Sequence, residues 1–333
     1  MNLTRILFLL LMISAIVFAQ TDIKFASVAP DGSTWMNVMK EFATAVEDST
    51  NGRVKFRIYP GGVAGDELVV LRKIRVGQLH SGGFTGVGLG EILPEVRILD
   101  APHLFRSYAE VDYVTSELFD YFSQKFEEKG FILLGWAEVG FVYIYTNTPV
   151  SGLEDMKGVK MWMWEGDPIA EATFKTLDIS PIPLSLTDVL TSLQTNLIDG
   201  VYVSPLACVA LQWHTKVKFM LDFPLADSNG AVLLSKKQFL KLSPADQAML
   251  RRLSRKYFGE LTRLSREDNQ KSLNLIREAG IKFTQIKDET KKADFYASGE
   301  KARRLLIGKL YDADFLNKVE GKINEFRKQH NQK

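Results

Sequence analysis

The sequence predicts an α/β fold built in two lobes, and three observations lead there. The chain has 333 residues, which at about 150 residues per domain suggests two domains. Strand-like and helix-like segments alternate twice, once before and once after the apolar run Phe141 to Thr146. A single helical pattern of about 37 residues, Ser243 to Ala279, would reach ~55 Å at 1.5 Å per residue. That exceeds one small domain and suits an element shared by two lobes.

The elements follow in order. Asp22 to Val28 alternates polar and apolar residues and stops at Pro30-Asp31-Gly32, so it reads as a strand and a turn. Ser33 or Thr34 can cap the next helix, whose apolar residues recur at helical spacing to about Thr50. Asn51-Gly52 ends it, Val54 to Tyr59 alternates as a second strand, and Pro60-Gly61-Gly62 turns the chain. Asp66 to Val76 is helical, and Leu79 to Phe84 and Ile132 to Trp136 are strands. Strands alternating with helices argue for a mainly parallel sheet. Phe141 to Thr146, β-branched and aromatic, is a strand leaving the first lobe. The second pattern runs strand Lys160 to Trp164, helix Pro168 to Leu177, helix Leu186 to Thr195 and strand Leu197 to Val203. Ser243 and Pro244 start the long helix as cap and first-turn proline, and Gly280 ends it. Gly259 inside it marks either a bend or a break into two helices. The tail from 287 to 333 is helical and charged.

Residues 1–19 read as an address. Arg5 precedes an apolar core from Ile6 to Phe18, and Val17 and Ala19 suit a cleavage site before Gln20. The alternative is an uncleaved anchor, but the run is shorter than the ~20 residues a spanning helix needs. No cysteine follows the site for a lipid anchor, and the mature protein is expected to be soluble and exported.

Hydrophobic residues are 46% and charged residues 25%, which excludes a disordered or collagen-like chain. Forty-two basic against forty acidic residues leave +2, so net charge draws the chain to neither nucleic acid nor an acidic membrane. One cysteine, Cys208, excludes an internal disulfide and a cysteine-cluster metal site. His80, His103, His214 and His330 lack metal-ligand spacing. There is no Walker A pattern, no GxSxG elbow and no HExxH, and the glycines at 82, 83, 86, 88 and 90 miss the GxGxxG spacing. A loop needing close backbone approach fits those glycines better. No cofactor and no catalytic residue is expected.

The informative cluster is aromatic. In Met161-Trp162-Met163-Trp164, strand periodicity puts both indoles on one face and both methionines on the other. The methionines suit a buried strand. The tryptophans sit at a strand end before Glu165-Gly166-Asp167-Pro168, and strand ends at a crevice are where open α/β sheets hold ligands. Core and cleft both remain open for them. Tyr202, Ser204 and Pro205 also follow a strand.

Several segments in order resemble one family. These are Asn51-Gly52-Arg53-Val54 with Tyr59-Pro60-Gly61-Gly62, Gly65-Asp66-Glu67 and Gly77-Gln78-Leu79. Pro102-His103-Leu104-Phe105-Arg106 and Leu153-Glu154-Asp155-Met156-Lys157-Gly158-Val159-Lys160 follow. Then come Pro181-Ile182-Pro183-Leu184, Leu193-Gln194-Thr195-Asn196 and Ile198-Asp199-Gly200. Together, over about residues 22 to 280, they resemble the periplasmic substrate-binding proteins of TRAP transporters, of the DctP type. The resemblance implies a two-lobed periplasmic binding protein fold with crossing strands and a long shared helix. It implies a first lobe of 20–140 plus 229–268 and a second of 141–228 plus 269–333. It also implies capture of a small-molecule ligand by lobe closure in the periplasm, and delivery to TRAP membrane subunits.

The chain departs from the family where the ligand is usually held. The family's carboxylate-clamping arginine position, two residues after the lysine of the "G-x-K" segment, holds Trp162. A second basic position falls on Val142, and Val201 to Pro205 is one residue longer than the commonest pattern. A carboxylate buried without a charged partner loses hydration with poor compensation. An aromatic face offers ~150–250 Å² of contact, roughly 4–6 kcal/mol before association entropy is subtracted. The expected ligand is therefore apolar, aromatic or weakly polar, with a cation over Trp162 or Trp164 as a variant. Its expected contacts are Trp35, Phe84, Val142, Trp162, Trp164, Pro183, Tyr202 and Ser204. Two rivals stand beside transport. An exported hydrolase or isomerase would need a nucleophile–base pair, and none is visible. A ligand-dependent interaction or sensory module is the other, since some branches are thought to work with tetratricopeptide-repeat proteins.

Overall fold

The computed structural model describes residues 20–330, so the expected export signal at 1–19 lies outside the described residues. The chain opens with β1 (Thr21–Ala26), α1 (Thr34–Ser49), β2 (Val54–Tyr59), α2 (Glu67–Arg75) and β3 (Ser81–Thr85). Helices α1 and α2 each begin where a side chain satisfies an orphan amide. Ser33 Oγ accepts from Met36 N at 3.4 Å, and Asp66 Oδ1 from Glu67 N at 2.7 Å. A short helix α3 (Gly86–Ile92) and a 3₁₀ segment, Pro94–Asp100, follow β3. Then come α4 (Tyr108–Glu117), α5 (Phe119–Glu128) and β4 (Phe131–Trp136).

The second half contains β5 (Gly140–Thr146), β6 (Trp162–Trp164), α6 (Pro168–Thr176), β7 (Ile182–Leu184), α7 (Val189–Gln194) and β8 (Gly200–Val203). It continues through α8 (Pro205–Ala210), β9 (Phe219–Leu221), β10 (Ala226–Ser228), β11 (Gly230–Ser235) and α9 (Lys236–Phe239). The last elements are α10 (Pro244–Glu278), β12 (Lys282–Thr284), α11 (Glu289–Leu305) and α12 (Ala313–His330). Helices α6, α8 and α10 share one grammar: a capping Asp167, Ser204 or Ser243, then proline at the first turn.

Two five-stranded sheets define the two lobes. The first has the order β2-β1-β3-β11-β4. Strand β1 runs parallel to β2 and β3, while β11 runs antiparallel to β3 and β4. The second has β10, β5, β9 and β12 in order, with β8 also on β5. Here β5 is antiparallel to β8, β9 and β10, so parallel pairing, expected to dominate, is confined in these two sheets to β1 with its two neighbours in the first lobe and to β9 with β12 in the second. The reason is topological. Strands β5, β10 and β11 carry the chain across and back, and a returning strand is antiparallel to its neighbour.

The crossing is bonded on itself. Ala137 N donates to Gly230 O at 2.7 Å and Val139 N to Ser228 O at 2.9 Å. Helix α10, 35 residues long and unbroken at Gly259, forms a third link. It packs on α1 and β4 of the first lobe and on α8 of the second. Asn269 on α10 ties both sides, with its Oδ1 accepting from Leu206 N at 2.9 Å and its Nδ2 donating to Val139 O at 2.9 Å.

The tail is helical as expected, but its two helices part company. Helix α11 packs on α6 of the second lobe. Helix α12 packs on α4, and its Phe315, Leu316, Val319 and Ile323 join Val111, Val114 and Phe122 in one first-lobe core. The expected second lobe of 269–333 therefore does not hold its last helix.

Candidate functional site

A cavity of about 200 Å³ lies between the lobes. From the first lobe it is lined by the turn after β1, the start of α1 and the β3–α3 junction. From the second it is lined by Val142, the β6 tryptophans, the start of α6, the β8–α8 junction and residues 225–228. The glycines at the β3–α3 junction allow the close approach foreseen for them. A Cβ on Gly83 would lie 2.7 Å from the Trp35 ring, and one on Gly86 would lie 1.6 Å from Asp100 Oδ2.

Trp162 and Trp164 share one face of β6, with ring centroids 6.0 Å apart. Met161 and Met163 pack in a different cluster on the reverse face. Trp162 stacks on Tyr202 at 5.0 Å and meets the edge of Trp213 at 5.2 Å. Both indole N–H groups are already engaged. That of Trp162 donates to Leu184 O at 3.1 Å, and that of Trp164 to Asp66 Oδ2 at 3.2 Å. The tryptophans thus offer ring surface to the cavity and keep their polar edges satisfied. Tyr202 Oη accepts from Trp164 N at 3.3 Å, and burial pushes its phenol well above the usual range.

Seven of the eight expected contact residues line this one cavity: Trp35, Phe84, Val142, Trp162, Trp164, Tyr202 and Ser204. Pro183 does not line it and is exposed on β7. The strand register is the reason. Strand β7 pairs in parallel with β6, which sets Pro183 beside Met163, on the face away from the tryptophans. Leu186, just beyond β7, lines the cavity instead.

Charged residues in the wall were not foreseen. Arg97 is the single basic residue of the lining among the described residues. Its side chain is 5% exposed and bound to two carboxylates. Nε meets Asp100 Oδ2 at 2.9 Å, and a terminal nitrogen meets Asp167 Oδ1 at 2.9 Å. Burial alone would lower the guanidinium's pKa; the charges of Asp167 and Asp100 reverse that and raise it. Burial pushes Asp100 up to about 6 against the opposing pull of Arg97. Asp100 Oδ1 accepts from Asn229 N at 2.9 Å, which ties the ion pair to the crossing segment. The sequence did carry a signal. Arg97 stands inside the apolar run Val96-Arg97-Ile98-Leu99, where a buried cation demands an acid, and Asp100 follows three residues later.

Two further acids sit in the wall. Glu67 is buried and held up at about 8 by desolvation, although Thr85 N and Gly88 N donate to it at 2.8 Å each. Asp227 has both oxygens buried without a hydrogen-bond partner, and burial with the nearby Glu138 keeps its carboxyl well above the usual range. Its register partner is Phe141, so its side chain shares the Phe141 face of the crossing rather than the Val142 face.

Two polar links join the lobes. Asp66, of the first lobe, accepts from Trp164 Nε1 and from Leu186 N at 3.1 Å, both of the second. Arg97, of the first lobe, pairs with Asp167 of the second.

Two α/β lobes joined by crossing strands and a shared helix, closed over an apolar cavity, make a solute-binding protein. The chain belongs to the DctP family: the profile described as bacterial extracellular solute-binding protein, family 7, matches residues 25–306. It is 29% identical over 292 residues to the 2,3-diketo-L-gulonate-binding periplasmic protein YiaO of Escherichia coli, covering 84% of this chain and 86% of that one. It is 30% identical over 233 residues to a solute-binding protein of Verminephrobacter eiseniae, 69% of each. Among solved structures, the sugar acid binding protein DctPAm of Advenella mimigardefordensis, in complex with galactonate, superposes with a TM-score of 0.86 at 20% identity. That superposition covers 92% of this chain and 99% of the other.

Proposed function

We propose that this solute-binding protein captures an uncharged apolar, aromatic or weakly polar molecule between its lobes, in the periplasm. It then delivers that molecule to the membrane subunits of a TRAP transporter, without chemical change. The observation that carries the ligand class is the cavity wall. It is aromatic on one side, and its single basic residue is already bound to two aspartates. A ligand carboxylate would enter with no free cation to meet it, at a cost of several kcal/mol for desolvation. Relatives are named for the opposite chemistry, such as the C4-dicarboxylate-binding periplasmic protein of Rhodobacter capsulatus, 26% identical over 262 residues. In this reading the first lobe is 20–140 with 229–268 and helix α12, and the second begins at 141. The paired crossings at Ala137–Gly230 and Val139–Ser228 support that division. Trp35, Phe84, Val142, Trp162, Trp164, Tyr202 and Ser204 are the contact residues.

Native mass spectrometry of the exported protein, before and after denaturation, tests the ligand class. A neutral co-purified molecule with an aromatic or apolar body is expected. Micromolar binding of succinate or galactonate in calorimetry would refute it.

A further inference from the structure

We propose that Asp167 sets the ligand class of this protein: by occupying Arg97 from across the cleft, its carboxylate takes the place a ligand carboxylate would otherwise fill. The inference rests on the reading above and adds the residue responsible.

The two aspartates on Arg97 are not equivalent. Asp100 belongs to the same 3₁₀ segment as Arg97 and is anchored through Asn229, so it is a fixed local counter-charge. Asp167 comes from the other lobe, at the cap of α6. Its Oδ1 serves two donors at once, Arg97 at 2.9 Å and Ile169 N at 3.0 Å. To leave Arg97 it must also uncap a helix. An incoming carboxylate therefore meets a guanidinium whose cross-lobe anion is held from behind.

Charge counting points the same way. With both aspartates ionised, Arg97, Asp100 and Asp167 sum to one net negative charge, which repels an anion in a poorly solvated cavity. Without the Asp167 charge the group is neutral, and a ligand carboxylate added to it rebuilds the same trio. Asp167→Asn makes that change while keeping an oxygen to cap Ile169. Among the described residues no lysine, histidine or second arginine lines the cavity to take over the role.

The experiment is calorimetric titration of benzoate, whose ring suits the aromatic wall, and of benzamide, its neutral counterpart. Wild type, Asp167→Asn and Arg97→Gln/Asp167→Asn are compared. The expected result is no measurable benzoate binding by wild type, and benzoate affinity at least about tenfold higher in Asp167→Asn than its affinity for benzamide. The double variant should lose that preference. A merely structural role for Asp167 would not change the ratio of the two probes. A folded Asp167→Asn that still rejects benzoate, while wild type rejects it too, overturns the assignment of Asp167 and leaves the ligand class standing. Wild type that binds benzoate tightly overturns both. If Asp167→Asn fails to fold, Asp167→Ser, which also caps a helix, is read by the same criteria.

Discussion

Glu67 shows how far a single carboxyl can be bent to a structural task. It lies under the β3–α3 junction, and its Oε2 accepts from Thr85 Oγ1 at 3.1 Å as well as from Gly88 N. Desolvation outweighs these donors, so its pKa rises from 4.5 to about 8 on folding. The native state then holds a proton that the unfolded chain releases. That stabilisation is complete below pH 4.5 and is lost as pH rises through about 8. The shift bounds the effect at roughly 5 kcal/mol. Asp100, raised to about 6, adds a loss of the same sign at lower pH. Glu67→Gln is expected to flatten the fall in stability between pH 5 and 8, and urea denaturation across that range checks it. Single residues were also where the sequence spoke least. The tryptophan face of β6 follows from alternation alone. The bridge between Arg97 and Asp167 needs two lobes brought together over 70 residues of chain, and no local pattern encodes that. Asp167 is also the cap of α6, just before its first-turn proline, and that local role says nothing of Arg97.

At the scale of elements, strong periodicity and capping were legible. Strand β2 has the expected bounds, and α1 and α10 lie within a residue of theirs. What was not legible was the stretch whose signals depend on partners. Strand β11 is buried on both faces, so Gly230–Ser235 shows no alternation. The expected helix from Leu186 begins as a 3₁₀ turn, Leu186–Asp188, before α7. Helix α10 resolves the question left at Gly259 in favour of continuity. Packing on α1 and β4 overrides a weak helix former in mid-helix. A Cβ at Gly259 would meet nothing within 4 Å. Gly259→Ala is therefore expected to stabilise the protein by about 0.5–1 kcal/mol, through the unfolded chain's lost freedom. The denaturation midpoint should rise with an unchanged m-value.

At the scale of the whole molecule, closure is the quantity that matters. Asp66 caps α2 and also receives two donors from the other lobe, so one side chain couples a helix end to the closed state. Hydrogen bonds to a charged acceptor contribute about 1.5–3 kcal/mol each in favourable cases. Asp66→Ala should shift the population toward an open form, seen as a larger radius of gyration in small-angle scattering. An unchanged radius would assign closure to the Arg97–Asp167 pair and the apolar contacts. The aromatic wall carries one more consequence, and it is optical. Three of the five tryptophans line the cavity, and two of these lie 6.0 Å apart with a tyrosine stacked on one of them. Transition dipoles that close couple to each other, so the near-ultraviolet circular dichroism of this protein should be dominated by the binding wall. A spectrum taken with and without a candidate solute would then report occupancy directly, with no label attached.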